Sequence, residues 1–292
     1  MFDTMKEHHE YSTPLWPISS YGKYDASDAE TQIECHWHDE WEFFAITKGT
    51  ACISINGVKT QISTGDVVFI KGGDLHIVDS EDGNPFKFRA IVFNPVLLRL
   101  LPDDLAEVKY ISPLIDGKLQ LSAVLNSEAI GKNSLEIFER LHNVVLNKSP
   151  FYELFMKAYL LEFLACWMES GSTFTNTTSK LGNVETLKCV LNYIHEHYAQ
   201  QISIEQLSDI AHMSQGHFTK MFYKFTSRTP MNYVIRFRLS KAAFLLINTD
   251  EKILHIAMDV GFNNLSYFLR TFKTYFGCSP TVYRKKYNSL LP

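Results

Sequence analysis

The stretch RLSKAAFLLINTDEKILHIAMDVGFNNLSYFLRTFKTYFGCSPTVYRKKY (residues 238–287) decides the fold of the C-terminal third of the chain. Its apolar residues recur at steps of three and four, which is the period of an amphipathic helix. Ile256 and Val260 lie on one such face, Gly261 follows at a turn, and Phe268 lies on the next face. Two short helices joined by a tight turn are typical of a helix-turn-helix unit.

The same design occurs fifty residues earlier, where FTKMFYKFTSRTP (218–230) mirrors FLRTFKTYFGCSP (268–280). Before it, Ser203 is followed three positions later by Gln206, which is the pattern of a helix-capping box. Proline suits the first turn of a helix, so residues 230–246 are predicted to form one helix between the two units. Residues 184–292 are therefore predicted to form an all-α domain with two helix-turn-helix units.

The C-terminal sequence resembles the AraC family of transcriptional regulators. The resemblance rests on an R-L-x-x-A…L-L helix, an I-A…V-G-F helix and turn, an F-x-R-x-F-K…F-G-x-x-P recognition helix and the trailing Tyr-Arg pair (283–284). The first unit departs from the family at 223–224 and 227–228, where Lys-Lys and a glycine are more common. The resemblance implies a sequence-specific regulator that is not an enzyme and that binds double-stranded DNA, with RNA polymerase as a further partner if it activates transcription.

By position in that family, the exposed start of each second helix reads DNA in the major groove. Arginine and lysine donate to guanine edges, and glutamine or asparagine pairs with adenine. Lys220 is equally well explained as a phosphate contact. The predicted base-reading residues are Gln215, His217, Thr219, Lys220, Asn264, Leu265, Ser266, Leu269 and Arg270. The predicted phosphate contacts, which hold the register on DNA, are Lys224, Arg236, Lys273, Arg284, Lys285 and Lys286.

Charge is distributed unevenly along the chain. Residues 184–292 contain 13 Lys and Arg against 7 Asp and Glu, whereas residues 1–183 contain 15 against 25. A basic module beside an acidic remainder suits a polyanionic partner such as DNA. The five cysteines form no CxxC pair, which argues against a zinc finger or a disulfide framework. Without a long apolar run or a secretory signal at the start, the chain is predicted to be cytoplasmic and free of membrane contacts.

The N-terminal region is predicted to form short strands from residue 33 to residue 93. Asn56-Gly57 lies between two alternating apolar segments, and this dipeptide favours a hairpin because both turn positions need positive φ. Gly65 and Gly73 mark further turns. Closely spaced strands with glycine turns are typical of a β-barrel or jelly roll.

A histidine-rich segment, HWHDEWEFFAITKG (36–49), places His36, His38 and Glu42 at even offsets, so on a strand they share a face. His76 follows a second, glycine-rich segment. These spacings resemble the two motifs of the cupin fold, and cupin sensor domains commonly precede AraC-type DNA-binding domains.

The cupin resemblance makes a divalent metal a candidate cofactor. In metal-dependent cupins the four matching residues bind such an ion, and three imidazoles with one carboxylate suit Zn, Ni, Mn or Fe. Lys71 and Ser80 depart from the motif, where proline and asparagine are usual. The alternative is that the four residues line the barrel and bond a ligand or one another.

The predicted effector pocket comprises His36, His38, Glu42, His76, Trp37 and Trp41. Tryptophans at a barrel mouth can stack on a sugar ring, so a sugar is one candidate effector by family analogy; ordinary packing is the alternative. The leading hypothesis is a regulator switched by a small molecule in the barrel. The alternatives are a metal-dependent cupin enzyme fused to a DNA-binding domain and an N-terminal domain that only dimerises.

The predicted architecture is α+β and multidomain. Residues 1–105 are expected to form a cupin-like, effector-sensing β-barrel of jelly-roll type, 106–169 a helical dimerisation segment, 170–183 a polar linker and 184–292 the DNA-binding domain. Helical periodicity runs from about 134 to 169, and 151–168 is apolar on most sides. Such a helix is buried on several faces, either against the barrel or at a subunit interface, and the second case predicts a homodimer.

Overall fold

The computed structural model describes residues 17–21, 32–80, 83–125, 133–148, 150–174 and 182–288. The chain divides into two compact units, Met1–Leu181 and Gly182–Pro292. The first unit combines antiparallel sheets with helices, and the described part of the second unit is helical throughout. The predicted α+β class, with a jelly-roll-like N-terminal unit and a helical C-terminal unit, is confirmed.

The N-terminal unit contains two packed antiparallel sheets and a short ribbon. The larger sheet has the order β1-β8-β3-β6-β10, the smaller one has the order β2-β7-β4-β5, and β11 pairs with β9. The chain therefore crosses repeatedly between the two sheets, as in a jelly roll. The strands are β1 (Ile18–Tyr21), β2 (Gln32–His36), β3 (Trp41–Lys48), β4 (Thr50–Ile55), β5 (Val58–Ser63), β6 (Val67–Ile70), β7 (His76–Ser80), β8 (Lys87–Phe93), β9 (Leu119–Leu121), β10 (Val124–Leu125) and β11 (Ser172–Phe174).

Strand β3 is apolar on both faces because it is covered on both sides. Phe44 and Ile46 pack with residues of β4 to β8 between the two sheets, whereas Phe43 and Ala45 pack in a second cluster with residues of the helices. Burying one such phenylalanine contributes about 1.5–3 kcal/mol. Successive strand residues alternate between faces, so Glu42 lies on the same side as Phe44.

The hairpin predicted at Asn56-Gly57 is confirmed. Asn56 has φ 49° and Gly57 has φ 78°, and β4 pairs with β5 on either side of them. The Asn56 side chain also reaches the segment before β7: its Nδ2 donates to Oδ1 of Asp74 at 2.6 Å, and its Oδ1 accepts from the backbone N of Leu75 at 3.0 Å. The turn thereby fixes the position at which β7 begins.

Two long helices cover the larger sheet. They are α2 (Asn133–Asn147) and α3 (Tyr152–Gly171), and they follow a 3₁₀ turn (Pro95–Leu98), a π-helical turn (Glu107–Ile111) and the short α1 (Ser112–Ile115). The sheets extend further along the chain than predicted, because β10 pairs with β6 and β11 pairs with β9. Strands of two or three residues carry too little alternation to be recognised in the sequence.

His142 on α2 is fully buried, and its Nε2 lies 3.3 Å from the carbonyl oxygen of Tyr21. Burial lowers its pKa from 6.5 to about 4; the Tyr21 carbonyl acts in the opposite direction and the charge of Arg89 in the same direction. Arg89 itself is paired with Glu139 on α2. Neutral His142 is therefore the form that the folded N-terminal unit accommodates.

We expect the N-terminal unit to lose stability as the pH falls from 6.5 towards 4. In that window the unfolded chain binds a proton at His142 that the folded chain excludes, so the free energy of unfolding falls and then levels off below about pH 4. Urea unfolding in EDTA at several pH values checks this. His142→Gln removes the titrating group, and its stability should depend less on pH than that of the wild type. Equal pH dependence in the two proteins would contradict the assignment.

The C-terminal unit is a chain of seven helices within the described residues. They are α4 (Gly182–His197), α5 (Ile204–Ile210), α6 (Gln215–Thr226), α7 (Pro230–Asn248), α8 (Ile253–Asp259), α9 (Leu265–Phe276) and α10 (Pro280–Asn288). Helix α7 connects the pair α5–α6 to the pair α8–α9, as predicted. At 19 residues it is about 28 Å long. No helix in the part of the chain that the structure describes is long and apolar enough to cross a membrane.

Two local predictions for this unit are confirmed. Ser203 and Gln206 form a reciprocal capping box at the start of α5, with hydrogen bonds of 2.9 and 3.2 Å. Gly261 has φ 91°, and a Cβ there would lie 2.8 Å from the carbonyl oxygen of Ala199. The turn between α8 and α9 therefore requires glycine for its backbone conformation and for the close approach of the chain.

Candidate functional site

Helices α6 and α9 each present one buried and one exposed face. Phe218 and Phe222 of α6 are fully buried, as are the corresponding phenylalanines of α9, so the aromatic residues form core and not base-stacking platforms. Ser214 caps α6 by accepting from the backbone N of His217, and Asn264 caps α9 by accepting from the backbone N of Tyr267 at 2.9 Å. The first exposed turn of each helix therefore begins at a side-chain cap that fixes its backbone.

Most of the predicted base readers are exposed, and three have a structural role. Thr219 is half-buried and donates its hydroxyl to the carbonyl of Gln215 at 2.7 Å. Leu265 packs against the core of the second helix pair, and the Asn264 side chain serves as the cap. The readers with exposed side chains are Gln215, His217, Lys220, Asn264, Ser266, Leu269 and Arg270.

The predicted phosphate contacts divide into two groups. Lys224, Lys273, Lys285 and Lys286 are exposed. The guanidinium group of Arg236 lies 4.4 Å from the ring centre of Tyr275 and donates to its hydroxyl at 2.8 Å. Sequence reasoning did not anticipate this tyrosine, because its partner is 39 residues away along the chain.

The structure gives Arg284 a role within the fold, and its contact with phosphate stays a prediction. Its Nε donates to the carbonyl of Leu246 at 3.0 Å, and its Nη2 donates to the carbonyl of Glu251 at 2.7 Å. The last carbonyls of a helix lack intrahelical partners, and a nearby arginine satisfies them. Arg284 thus fixes the end of α7. Arg238 does the same after α4, with donors at 2.7 and 2.6 Å from the carbonyls of Tyr198 and Gln200.

The N-terminal unit brings together His36, His38, Glu42 and His76, as the sequence predicted. All four are buried, and one potential ligand atom from each lies within 4.8 Å of the others. Glu42 belongs to the larger sheet, whereas His36 and His76 belong to the smaller one and are direct partners in the β2–β7 register. The cluster therefore joins the two sheets at one end of the sandwich. The chain from 38 to 40 is a bend and not the continuous strand that the even offsets suggested.

The three imidazoles make the same kind of contact through Nδ1. The Nδ1 atoms of His36, His38 and His76 lie 2.8, 3.0 and 2.9 Å from backbone carbonyl oxygens. Because a carbonyl only accepts, these contacts place the ring proton on Nδ1 and leave the lone pair of a neutral imidazole on Nε2. Histidines that bind metals are usually held in this way, through a carbonyl on the other nitrogen.

The Nε2 atoms of His38 and His76 both lie close to the Glu42 carboxylate. Its Oε2 lies 3.0 Å from Nε2 of His38 and 3.4 Å from Nε2 of His76. Nε2 of His76 is buried and makes no hydrogen bond to the described residues. Two acceptor atoms at this distance repel unless a proton or a cation lies between them. A single proton satisfies one contact, whereas a metal ion satisfies all four ligands.

The pKa values of the cluster reflect its burial. Burial alone would raise the pKa of Glu42, but the adjacent imidazoles of His38 and His76 outweigh it and hold this pKa far below its usual range. Burial, together with the charge of His36, lowers the pKa of His76 to about 4, although Glu42 acts in the opposite direction. Neutral imidazole and ionised carboxylate are the forms that bind metal ions.

Two loops hold the cluster in place. The backbone N of Gly73 donates to the carbonyl of His38 at 2.7 Å. A Cβ on Gly72 would lie 2.2 Å from the carbonyl oxygen of Asp39, so only glycine allows the loops to approach this closely. Asn56 and Asp74 support the second loop. Sequence reasoning missed both side chains, because the Asn-Gly turn signal concealed the second role of Asn56.

The structure corrects the prediction for Trp41 and leaves Trp37 as a candidate. Trp41 is buried on the opposite face of β3 from Glu42, with ring centres 5.3 Å from Phe69 and 6.2 Å from Phe93. It packs with the helices because odd and even strand positions face opposite sides. Trp37 is half-buried and adjacent in sequence to two of the cluster histidines.

Two family models match the chain. Residues 23–164 match the model described as "AraC-like ligand binding domain", and residues 207–286 match the model described as "Helix-turn-helix domain". Together the matches include the histidine cluster and helices α6 and α9.

Curated relatives match nearly the whole chain. The chain is 26% identical over 282 residues to the uncharacterised HTH-type transcriptional regulator YdeC of Bacillus subtilis, which covers 96% of each chain. It is 26% identical over 271 residues to the HTH-type transcriptional activator RhaS of Escherichia fergusonii, covering 86% of this chain and 87% of RhaS. Among solved structures, ToxT of Vibrio cholerae is 16% identical with a TM-score of 0.44, covering 92% of this chain and 98% of ToxT.

Proposed function

The chain belongs to the AraC family of DNA-binding transcriptional regulators, and we propose that α6 and α9 read a bipartite DNA site under the control of the N-terminal unit. The observation that carries this proposal is the pair of capped helices with exposed, mostly polar first turns, connected by α7. A connecting helix of about 28 Å suits two readers on successive major-groove faces, which repeat every 34–36 Å. As a member of this family the protein would act in the cytoplasm, and as an activator it would also contact RNA polymerase.

Selection from a random-sequence duplex library tests this proposal. The purified full-length protein is incubated with the library at two salt concentrations, and bound duplexes are sequenced. We expect a site with two separated conserved blocks and an affinity that falls steeply with salt, because lysine contacts to phosphate release counterions. Enrichment of a single short block would mean that only one helix pair reads DNA. Failure of the folded protein to enrich any sequence, both after EDTA treatment and with divalent metal added, would contradict the proposal.

We infer that the histidine cluster holds a divalent metal ion. The ligands would be Nε2 of the three histidines and the Glu42 carboxylate. The Nδ1 contacts to carbonyls, the convergence of the four ligand atoms and the buried Nε2 of His76 support this assignment. The ion would act as a structural cross-link between the two sheets. We assign the cluster to binding rather than catalysis, because the space between the sheets beside it is filled by apolar side chains.

We further infer that α3 forms a homodimer interface with a second copy of the chain. Its face opposite the buried side carries exposed apolar residues: Phe151, Leu154 and Phe155 are 72%, 72% and 50% exposed. Ala158 and Ala165 continue this stripe at helical spacing and are also exposed. Phe151 has φ 67°, so a strained backbone presents a phenylalanine to solvent.

The stripe is complementary to itself. An antiparallel pair centred on Ala158 brings Phe151 of one copy opposite Ala165 of the other, so a large side chain packs against a small one at each end. Glu162 also lies in the stripe, and Arg140 neutralises it through hydrogen bonds of 2.9 and 3.0 Å. In an antiparallel pair, the positive end of each helix dipole also lies near the negative end of the other, which is favourable.

Leu154→Glu is expected to weaken the dimer roughly 30-fold or more, as for the loss of a 2 kcal/mol interface residue. Two carboxylates would be buried at the interface, which is costly without partners. Sedimentation velocity over a range of protein concentrations measures the shift. Glu153→Gln, an exposed neighbour outside the stripe, serves as the control and should leave the dimer intact. A wild-type protein that stays monomeric at all accessible concentrations would rule out the interface.

A further inference from the structure

We propose that the effector of this regulator is the divalent transition-metal ion itself, bound at the histidine cluster; this inference rests on the proposed function. The chain would then be a metal sensor, and no sugar or other organic ligand would be needed to switch it.

The first argument is the chemistry of the N-terminal interior. A sugar site needs several polar groups that point at hydroxyls. In the described part of the N-terminal unit, the buried polar side chains outside the cluster are Ser54, Asp66, Glu107 and His142. Asp66 accepts from Ser63 within a turn, Glu107 binds the loop that contains Arg99, and His142 on α2 contacts the carbonyl of Tyr21. The cluster is therefore the one concentration of buried polar atoms among the described residues of this unit.

The second argument is the position of the four ligands. Glu42 is part of the larger sheet, and His36 and His76 are part of the smaller sheet. An ion bound to all four would cross-link the sheets and draw β3 towards β2 and β7. Without the ion, one proton can join Glu42 to His38, but Nε2 of His76 then makes no hydrogen bond to the described residues. The two states thus differ in the spacing of the sheets, and the metal binds one state in preference.

The third argument is the connection from the cluster to the proposed dimer interface. On the face of β3 opposite Glu42, the Phe43 ring lies 4.8 Å from Phe163 and 5.6 Å from Trp167, both on α3. A displacement of β3 would therefore displace α3 as well, because the closely packed aromatic rings leave no free space between the two elements. The outer face of α3 carries the self-complementary stripe. Metal binding would therefore change the arrangement of the two copies in the dimer. The four DNA-reading helices of the dimer would change position with them.

The test measures metal binding and DNA binding on the same full-length protein. After EDTA treatment and dialysis, calorimetric titrations with Zn²⁺, Ni²⁺, Mn²⁺ and Fe²⁺ give the stoichiometry, and fluorescence anisotropy with the selected duplex gives DNA affinity at each free metal concentration. We expect one ion per chain and a change in DNA affinity of about tenfold or more at saturation, within the usual range of allosteric coupling.

Two variants separate the cluster from general stability. His76→Gln should bind no metal, and its DNA affinity should not respond to metal. His142→Gln, which changes a buried histidine outside the cluster, should respond as the wild type does. Circular dichroism of His76→Gln without metal checks that it folds like the metal-free wild type, and metal should raise the unfolding midpoint of the wild type but not of this variant.

The outcomes are distinct. Absence of stoichiometric metal binding, or metal binding that leaves DNA affinity unchanged, would overturn the inference while the regulator assignment stands. A protein that binds no specific duplex in any metal state would overturn the proposed function, and this inference with it. A metal response that persists in His76→Gln would also refute the inference, since the ion would then act elsewhere.

Discussion

Gly72→Ala is expected to abolish metal binding and to destabilise the N-terminal unit by about 2–4 kcal/mol, the combined cost of overpacking and of a lost hydrogen bond. The new methyl group would lie 2.2 Å from the carbonyl oxygen of Asp39. Because the obstacle is backbone, the loops around His38 and before His76 must separate, and the hydrogen bond from Gly73 to His38 must break. The ligands of the two sheets would then no longer converge on one point.

The measurements are urea unfolding and calorimetric titration with Zn²⁺. Gly83→Ala is the matched control. It lies in the same unit with no atom within 4 Å of the new Cβ, and its φ of 74° alone costs about 1–2 kcal/mol. This control should bind metal as tightly as the wild type, although it is less stable. If Gly72→Ala binds metal normally, the loops are not the determinant of the cluster geometry.

Arg270→Ala is expected to reduce affinity for the selected duplex by about 1–3 kcal/mol, which is roughly 5- to 150-fold, and to relax the base preference at one position. Arg270 is exposed in the first turns of α9, and its guanidinium group lies 5.7 Å from the ring centre of Tyr267. From that position a bidentate contact to guanine is the interaction that truncation would remove.

Lys273→Ala separates base reading from charge. Lys273 is exposed one turn further along α9 and is assigned to phosphate, so its loss should weaken all duplexes to a similar degree and lower the salt slope by about one. Affinities for a panel of duplexes with single base-pair changes distinguish the two patterns. A uniform loss in Arg270→Ala would reassign that residue to phosphate, and no loss would exclude α9 as a reader.

Much of the C-terminal unit could be predicted from the sequence, because its signals are local. A capping box joins residues three positions apart, a helix buries residues at steps of three and four, and Gly261 marks a positive φ within one turn. The Asn56-Gly57 hairpin belongs to the same class. Each of these features depends on backbone geometry over a few residues, so the local amino-acid sequence is enough to specify the feature.

The histidine cluster was only partly predictable. The sequence named His36, His38, Glu42 and His76 through spacings that resemble a known motif. The Nδ1 contacts of the imidazoles are local, since each carbonyl lies two residues away. The requirement for Gly72 depends on Asp39, which lies 33 positions earlier in the chain. Sequence spacing does not encode how closely two loops approach.

Tertiary structure alone decided which face of a strand or helix each side chain occupies relative to distant partners. Trp41 faces the helices and not the histidine cluster. Both faces of β3 are covered, and the alternation of side chains along the strand places Trp41 in the apolar cluster that includes helix residues. Arg284 binds the end of α7, because unsatisfied carbonyls there offer better partners than solvent. Sequence determined the elements, since these follow from local dihedral preferences and periodic burial. Their partners followed only from packing, because long-range contacts depend on the whole chain.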